Sequence, residues 1–482
     1  MARVCGGLAL IGLGSGGAWA AAYSIPADLN APATASTLPC VGANAYWSGT
    51  KCIGTITLAA GDTVTSTSGN VTLSAGGVNF AGNNTIGAPG ATVTIVVDNQ
   101  PATVSLGANI TLYGGLSNSV GSLSIGGGAK ITGNLASSGA LTIGSGATIT
   151  GNVAATNGLL SIDASTINGN ITADNQNGAI ALTGGSMING SVGNENPRAT
   201  SLTVTGGKIT GDVLVENFIT ATQGVVFGNG CGMGGGNLKA RTGNISFDGG
   251  AVTGNVLAEG NNVSITAVNT TFCGKVEASG SPAGITLTGG SVAGGIANYN
   301  NTGNNIIKTT GTDVSGGVTG GTFIIDGGVI SGPMVITSSC NPPVSSCISQ
   351  IKNATMTSGS ITGGGPFAAI EIIHSTLGSP TSQVNISVTN NKPLVAHIRD
   401  GSVVYGNVQT NGFGQPSPGS IGWTAGDLVK GGSTVVGECR ALDPATDQNN
   451  PLFKHQPASL RQRQWLRQAA AGQCHPRYLQ CF

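Results

Sequence analysis

The sequence predicts an all-β fold, a right-handed parallel β-helix whose solenoid coils are about 20 residues long. Three observations lead there. One short phrase, apolar–Thr–Gly–Asn–apolar, recurs along most of the chain. The composition is rich in glycine, 82 of 482 residues, yet only 8% charged and 4% aromatic. Between the glycines, Val, Ile, Leu and Thr alternate in short runs, as strands with one buried face require. The right hand follows from the general preference of parallel crossovers.

The phrase is clearest as Lys130-Ile131-Thr132-Gly133-Asn134-Leu135 and Ala147-Thr148-Ile149-Thr150-Gly151-Asn152-Val153. It returns around Gly169-Asn170, Gly211-Asp212 and Gly254-Asn255, and in weaker form around Gly190, Gly274, Gly316 and Gly406. The marker glycines at 133, 151, 169, 190 and 211 are 18, 18, 21 and 21 residues apart. That period is too short for a helical hairpin or a propeller blade and suits one β-solenoid coil. Glycine and asparagine tolerate positive φ, so each Gly–Asn step is expected to turn the chain between strands, with these corner residues stacking along one edge. A second phrase, Leu182-Thr183-Gly184-Gly185, Val204-Thr205-Gly206-Gly207 and Leu287-Thr288-Gly289-Gly290, supplies another corner.

In chain order, residues 1–22 have the make-up of an export signal: Arg3, then the apolar run Leu8-Ala9-Leu10-Ile11-Gly12-Leu13. Two small-x-small triplets follow, Ala18-Trp19-Ala20 and Ala20-Ala21-Ala22, placing the mature N-terminus at Ala21 or Tyr23. Nothing later approaches 18 uninterrupted apolar residues, so no transmembrane helix is expected. Residues 23–64 form a distinct pre-repeat region in which Cys40 and Cys52 bracket Trp47. In an oxidising compartment these cysteines pair and staple a cap over the first coil, hiding its unpaired edge.

The order Tyr23-Ser24-Ile25-Pro26, Cys40…Cys52, Ile56-Thr57-Leu58-Ala59-Ala60-Gly61-Asp62-Thr63-Val64, followed by Ile-Thr-Gly-Asn-Val repeats, resembles the start of a family of large secreted bacterial proteins. These are the agglutinin biogenesis proteins that accompany mannose-sensitive-haemagglutinin-type pili. The resemblance covers residues 1–435 and implies a cell-surface or pilus-associated solenoid. It carries over no catalytic residue. Relatives of that family continue into a long further C-terminal region.

Residues 65–438 are expected to be solenoid. Cys340 and Cys347, flanking two prolines, predict a stapled loop. Cys231 and Cys273 are about two coils apart, roughly 9–10 Å along the axis and beyond disulfide reach, unless a loop within Gly230–Gly236 displaces one. Residues 439–482 change language: basic residues gather around Arg461-Gln462-Arg463-Gln464-Trp465-Leu466-Arg467, and a non-repetitive, poorly packed tail is expected.

Zero formal net charge offers no footprint for nucleic acid. Gly230-Cys231-Gly232-Met233-Gly234-Gly235 fits a dinucleotide fingerprint, but no helical period follows it, and the repeat already explains Asp248. No cofactor or metal is expected. Polysaccharide lyases and hydrolases also use β-helices, and their chemistry needs convergent carboxylates. The nearest candidates are Glu371, His374, His397, Arg399 and Asp400. On a strand Glu371 and His374 point to opposite faces, whereas His397 and Arg399 share one, read here as a solvated outer face. The expected function is therefore an exported, non-enzymatic surface structural or adhesion protein. Its expected partners are surface glycans, pilus components or copies of itself. The alternatives are a carbohydrate-active β-helix enzyme, or a polymerising scaffold resembling bactofilins, which share glycine-punctuated coils but are normally cytoplasmic.

Overall fold

The computed structural model describes residues 20–25, 38–98, 104–173, 178–195, 199–299, 305–337, 348–363, 368–388, 394–411, 429, 431–437 and 439–442. Among these every regular element is a β-strand. The chain divides into two compact units, Met1–Gly151 and Asn152–Phe482. Each unit is a parallel β-solenoid with coils of about 21 residues.

One coil of the second unit shows the plan. Ala251–Val252 forms a two-residue side, and the chain turns at Gly254-Asn255. Val256–Ala258 and Val263–Val268 form the next two sides, and the following coil begins with Thr271–Phe272. Each side pairs in parallel with its counterpart one coil on: Val252 with Phe272, Val256 with Val276, Ile265 with Ile285. Alternation sends Val252, Val256, Ala258, Val263, Ile265 and Ala267 into the interior, where all are buried. Apolar side chains therefore stack in columns, which is why a β-branched residue recurs at the same place in each phrase.

The columns balance volume between coils. Phe247 lies in register between Ala221 and Ala267. Its ring meets Phe227 and Phe272 edge-to-face, with centroids 6.1 Å and 5.3 Å away. A benzyl group fits this column because a methyl group stands on each side of it.

The two corners work by different physics, which corrects the expectation from the sequence. At the Gly–Asn corner the asparagines Asn152, Asn170 and Asn255 are not left-handed, and neither are Gly211 and Gly254, although Gly151 (158°) and Gly406 (149°) do take positive φ. Glycine is required there by close approach, since a Cβ on Gly211 would lie 2.6 Å from the Gly190 carbonyl carbon, and one on Gly254 would lie 2.6 Å from the Asn237 nitrogen. Asparagine is there for its side-chain amide. Asn152 Oδ1 accepts the Asn170 N–H at 2.9 Å, and Asn170 Oδ1 accepts the Ser191 N–H at 2.9 Å. Asp212 Oδ1 accepts the Asn237 N–H at 2.9 Å, Asn237 Oδ1 that of Asn255 at 2.9 Å, and Asn255 Oδ1 that of Lys275 at 2.8 Å. The linked residues are 18, 21, 25, 18 and 20 apart in sequence, one coil each time. Asn385 and Asn407 repeat the contact at 2.8 Å. The Thr–Gly–Gly corner is the one that uses positive φ, as at Gly184 (63°) and Gly185 (78°).

Behind that second corner runs a buried hydroxyl column that the sequence did not announce. Ser186 Oγ donates to the Thr183 carbonyl at 2.7 Å, Ser375 Oγ to that of Ile373 at 2.7 Å, and Ser402 Oγ to that of Arg399 at 2.7 Å. Each closes its own turn, which satisfies a polar group the interior would otherwise penalise.

In the first unit Ala22–Ile25 pairs in parallel with Thr63–Ser66. Cys40–Ser48 and Lys51–Leu58 form an antiparallel hairpin with a register shift between Val41 and Tyr46. Lys51–Leu58 then pairs in parallel with Val71–Phe80. Cys40 and Cys52 are disulfide-bonded with Cα atoms 5.7 Å apart, and Trp47 Nε1 donates to the Leu38 carbonyl at 2.9 Å. An antiparallel, bulged strand thus lies over a parallel edge that would otherwise offer free N–H and C=O groups. Within the same unit, a Cβ on Gly133 would lie 2.5 Å from the Gly114 carbonyl carbon and one on Gly151 2.5 Å from the Gly133 oxygen, the same close approach seen at Gly211.

At the other end of the chain, Cys439–Leu442 pairs in parallel with Val408–Asn411, so the solenoid register runs four residues into the segment expected to be tail. Residues 1–19 and 443–482, and the Cys340–Cys347 pair, lie outside the described residues.

Candidate functional site

Of the charged residues singled out in the sequence, Glu371, His397, Arg399 and Asp400 come together on one side of the second unit. Ile348–Lys352, Ala368–Ile373 and Leu394–Arg399 occupy the same side of three successive coils. Their register aligns Gln350 with Glu371, and Glu371 with His397. Ile351, Ile372 and Ile398 point inward, so these polar residues take the outward positions.

Outward does not mean solvated here. Glu371 is 7% exposed and His397 9% exposed. This corrects the reading of His397 as part of a solvated face: an outward side chain stacked against Glu371 one coil away is largely shielded from water. Glu371 Oε1 meets Arg399 Nη2 at 2.9 Å and lies 3.7 Å from His397 Nδ1, while Oε2 accepts Gln350 Nε2 at 2.8 Å. Arg399 is 37% exposed and also reaches Asp400 Oδ2 at 3.6 Å. His374 is apart from this cluster, in the turn after the strand, with φ 49°.

Chemically the cluster is a carboxylate whose two oxygens are both engaged, with an arginine between Glu371 and Asp400. A general base needs an oxygen turned to substrate, and a hydrolase needs two carboxylates facing each other across the scissile bond. Glu371 and Arg399 neutralise each other's charge between adjacent coils. A comparison with protein-family models, curated proteins and solved structures finds no match. Among the described residues no three His, Cys, Asp or Glu side chains gather where a metal ion could be held.

Charge pairing recurs elsewhere on the outer surface, between coils at Glu259 and within one coil at Glu277. Lys239 Nζ and Arg241 Nε meet the Glu259 carboxylate at 3.0 Å and 3.9 Å. Lys275 Nζ meets Glu277 Oε2 at 3.0 Å and stands 4.4 Å from the Tyr299 ring centroid, also donating to the Tyr299 hydroxyl. Desolvation lowers the Lys275 pKa, but the hydrogen bonds to Tyr299 and Glu277 and the Glu277 charge outweigh it, leaving the ammonium above its ordinary 10.5.

The dinucleotide-like run resolves differently. Its glycines Gly230, Gly232, Gly234 and Gly235 all take positive φ, and the strand Leu238–Ala240 follows where a helix would have to begin. Cys231 in this loop is bonded to Cys273 with Cα atoms 5.4 Å apart, the loop having carried it across the coil separation. In the sequence the loop also disguises the Gly236-Asn237 corner. The corner residues Asn152, Asn170, Asp212 and Asn255 stand in the amide ladder described above, and Gly133, Gly151, Gly211 and Gly254 at close backbone approaches.

Proposed function

We propose that this chain is an exported β-solenoid displayed at a bacterial surface or on a pilus, acting as a structural or adhesive body without catalysis. The observation that carries the reading is the fate of the outward charged groups. Glu371 with Arg399 and Glu259 with Lys239 are joined between coils, and Glu277 with Lys275 within one, so these carboxylates are engaged by the scaffold's own cations. Two disulfides suit an oxidising compartment, and they weigh against the cytoplasmic scaffold alternative. No helix among the described residues is long and apolar enough to cross a membrane.

A repetitive face binds by many weak polar contacts multiplied over coils, which favours glycan arrays, pilus components or further copies of the chain. Exposed Phe218 adds an apolar plane on which a sugar ring can stack. Protease shaving of intact cells tests the placement. Release of peptides from the 199–299 region supports it, and full protection of a chain that fractionates with cytoplasmic markers contradicts it.

A further inference from the structure

The sequence offers two leader-cleavage points, after Ala20 and after Ala22, and the first coil distinguishes them. Asp62 sits at the corner before the strand Thr63–Ser66 and is only 3% exposed. Its Oδ1 accepts the Ala21 N–H at 2.8 Å and its Oδ2 the Ala59 N–H at 2.8 Å. No salt bridge among the described residues reaches it. Tyr23 is a titratable neighbour, its phenol raised above its ordinary 10.0 by its own desolvation first, then by the Asp62 charge and hydrogen bond.

This corner has no need of a charge. The residues in the same place on the next coils, each just before the paired short strand, are Asn84, Ile110, Ala129 and Ala147, all buried. Asn84 shows that an amide serves: its Oδ1 accepts the Gly82 N–H at 3.1 Å and its Nδ2 donates to the Ala59 carbonyl at 2.6 Å. A buried carboxylate answered only by neutral donors is costly, and the cost falls when a cation stands against it. The nitrogen already at 2.8 Å is that of Ala21.

We propose that the leader is cut between Ala20 and Ala21, and that the α-ammonium this creates is held by Asp62 as the anchor of the first coil. This rests on the export reading above. Water adds across the Ala20–Ala21 amide: Ala20 leaves as a carboxylate, and the Ala21 nitrogen keeps the proton that makes it an ammonium. Ala20 is exposed, as the residue before the scissile bond must be. Cleavage after Ala22 instead removes the Ala21 carbonyl, which accepts the Thr63 N–H at 2.8 Å, and the Ala22–Thr63 pairing with it.

The test has two arms. In the first, the full precursor is expressed in an export-competent bacterial host, and the N-terminus of the exported chain is read by mass spectrometry. Ala21 is expected. Exported material starting at Tyr23 overturns the inference and leaves export standing, whereas an intact leader on cytoplasmic protein overturns both. In the second arm, chains 21–482 with a free and with an acetylated N-terminus are compared by hydrogen exchange at Tyr23–Ile25. Acetylation keeps every side chain and removes only the charge. It should speed exchange by about tenfold, the worth of one pKa unit of interaction, in the native sequence and not in Asp62→Asn. Equal exchange in both forms of the native chain overturns the anchor.

Discussion

Replacing Arg399 by methionine removes the guanidinium from Glu371 and leaves its stem volume nearly intact. Glu371, 7% exposed, then keeps one hydrogen bond from Gln350 at 2.8 Å and loses the charge-assisted contact at 2.9 Å. Stranding one member of a fully buried ion pair costs about 3–5 kcal/mol. Arg399 is 37% exposed, however, so water already screens the pair and the figure falls toward the surface range. Between these limits the expected loss is about 2 kcal/mol. Because solenoids open coil by coil, the readout is local: amide hydrogen exchange of Ala368–Ile373 should quicken by about 30-fold. Adding Glu371→Gln removes the stranded charge and should recover most of the loss. Two results would refute the reasoning. One is an Arg399→Met change below threefold. The other is a double variant in which the two single effects simply add.

Other substitutions probe the packing rules. Gly254→Ala puts a Cβ 2.6 Å from the Asn237 nitrogen and should cost about 3 kcal/mol, as overpacking does. Gly185→Ala has open space around it but φ 78°, and should cost only about 1 kcal/mol of left-handed strain; thermal unfolding ranks the two. Phe247→Ala leaves three successive methyl groups, Ala221, the new alanine and Ala267, with nothing to fill the benzyl space, and should lose about 3–5 kcal/mol in chemical denaturation. Asn255→Ala deprives the Lys275 N–H of its acceptor at 2.8 Å and should cost about 1 kcal/mol. Asn255→Asp should be close to neutral, since Asp212 fills the equivalent place in the native ladder.

The coil repeat was legible because each phrase carries one buried residue per side, and a parallel stack repeats that demand at every turn. Val252 and Phe272 are adjacent in space for the same reason that their phrases look alike. The role of the corner was legible in part. Gly254 marked the turn correctly, but its reason is the backbone of the coil behind it, and backbone proximity leaves no trace in a single phrase. The Glu371–His397 adjacency was hidden for a related reason: coil length varies, so a partner cannot be found by counting residues. Cys231 and Cys273 show the same effect, because the inserted glycine loop changes a distance that regular stacking would fix. Burial was the other blind spot. Strand alternation places His397 outward, and alternation alone does not reveal that an outward side chain is buried.

The claim that this solenoid works as a displayed surface without chemistry is tested most directly by complementation. A strain lacking the chain is supplied with either the native gene or the Glu371→Gln/Arg399→Met variant, and adhesion and cell–cell aggregation are measured alongside surface polysaccharide turnover. The account predicts that the deletion loses adhesion, and that both genes restore it equally with polysaccharide turnover unchanged. A polysaccharide-degrading activity that the native protein supplies and the variant lacks, with the variant folded and exported, would contradict it.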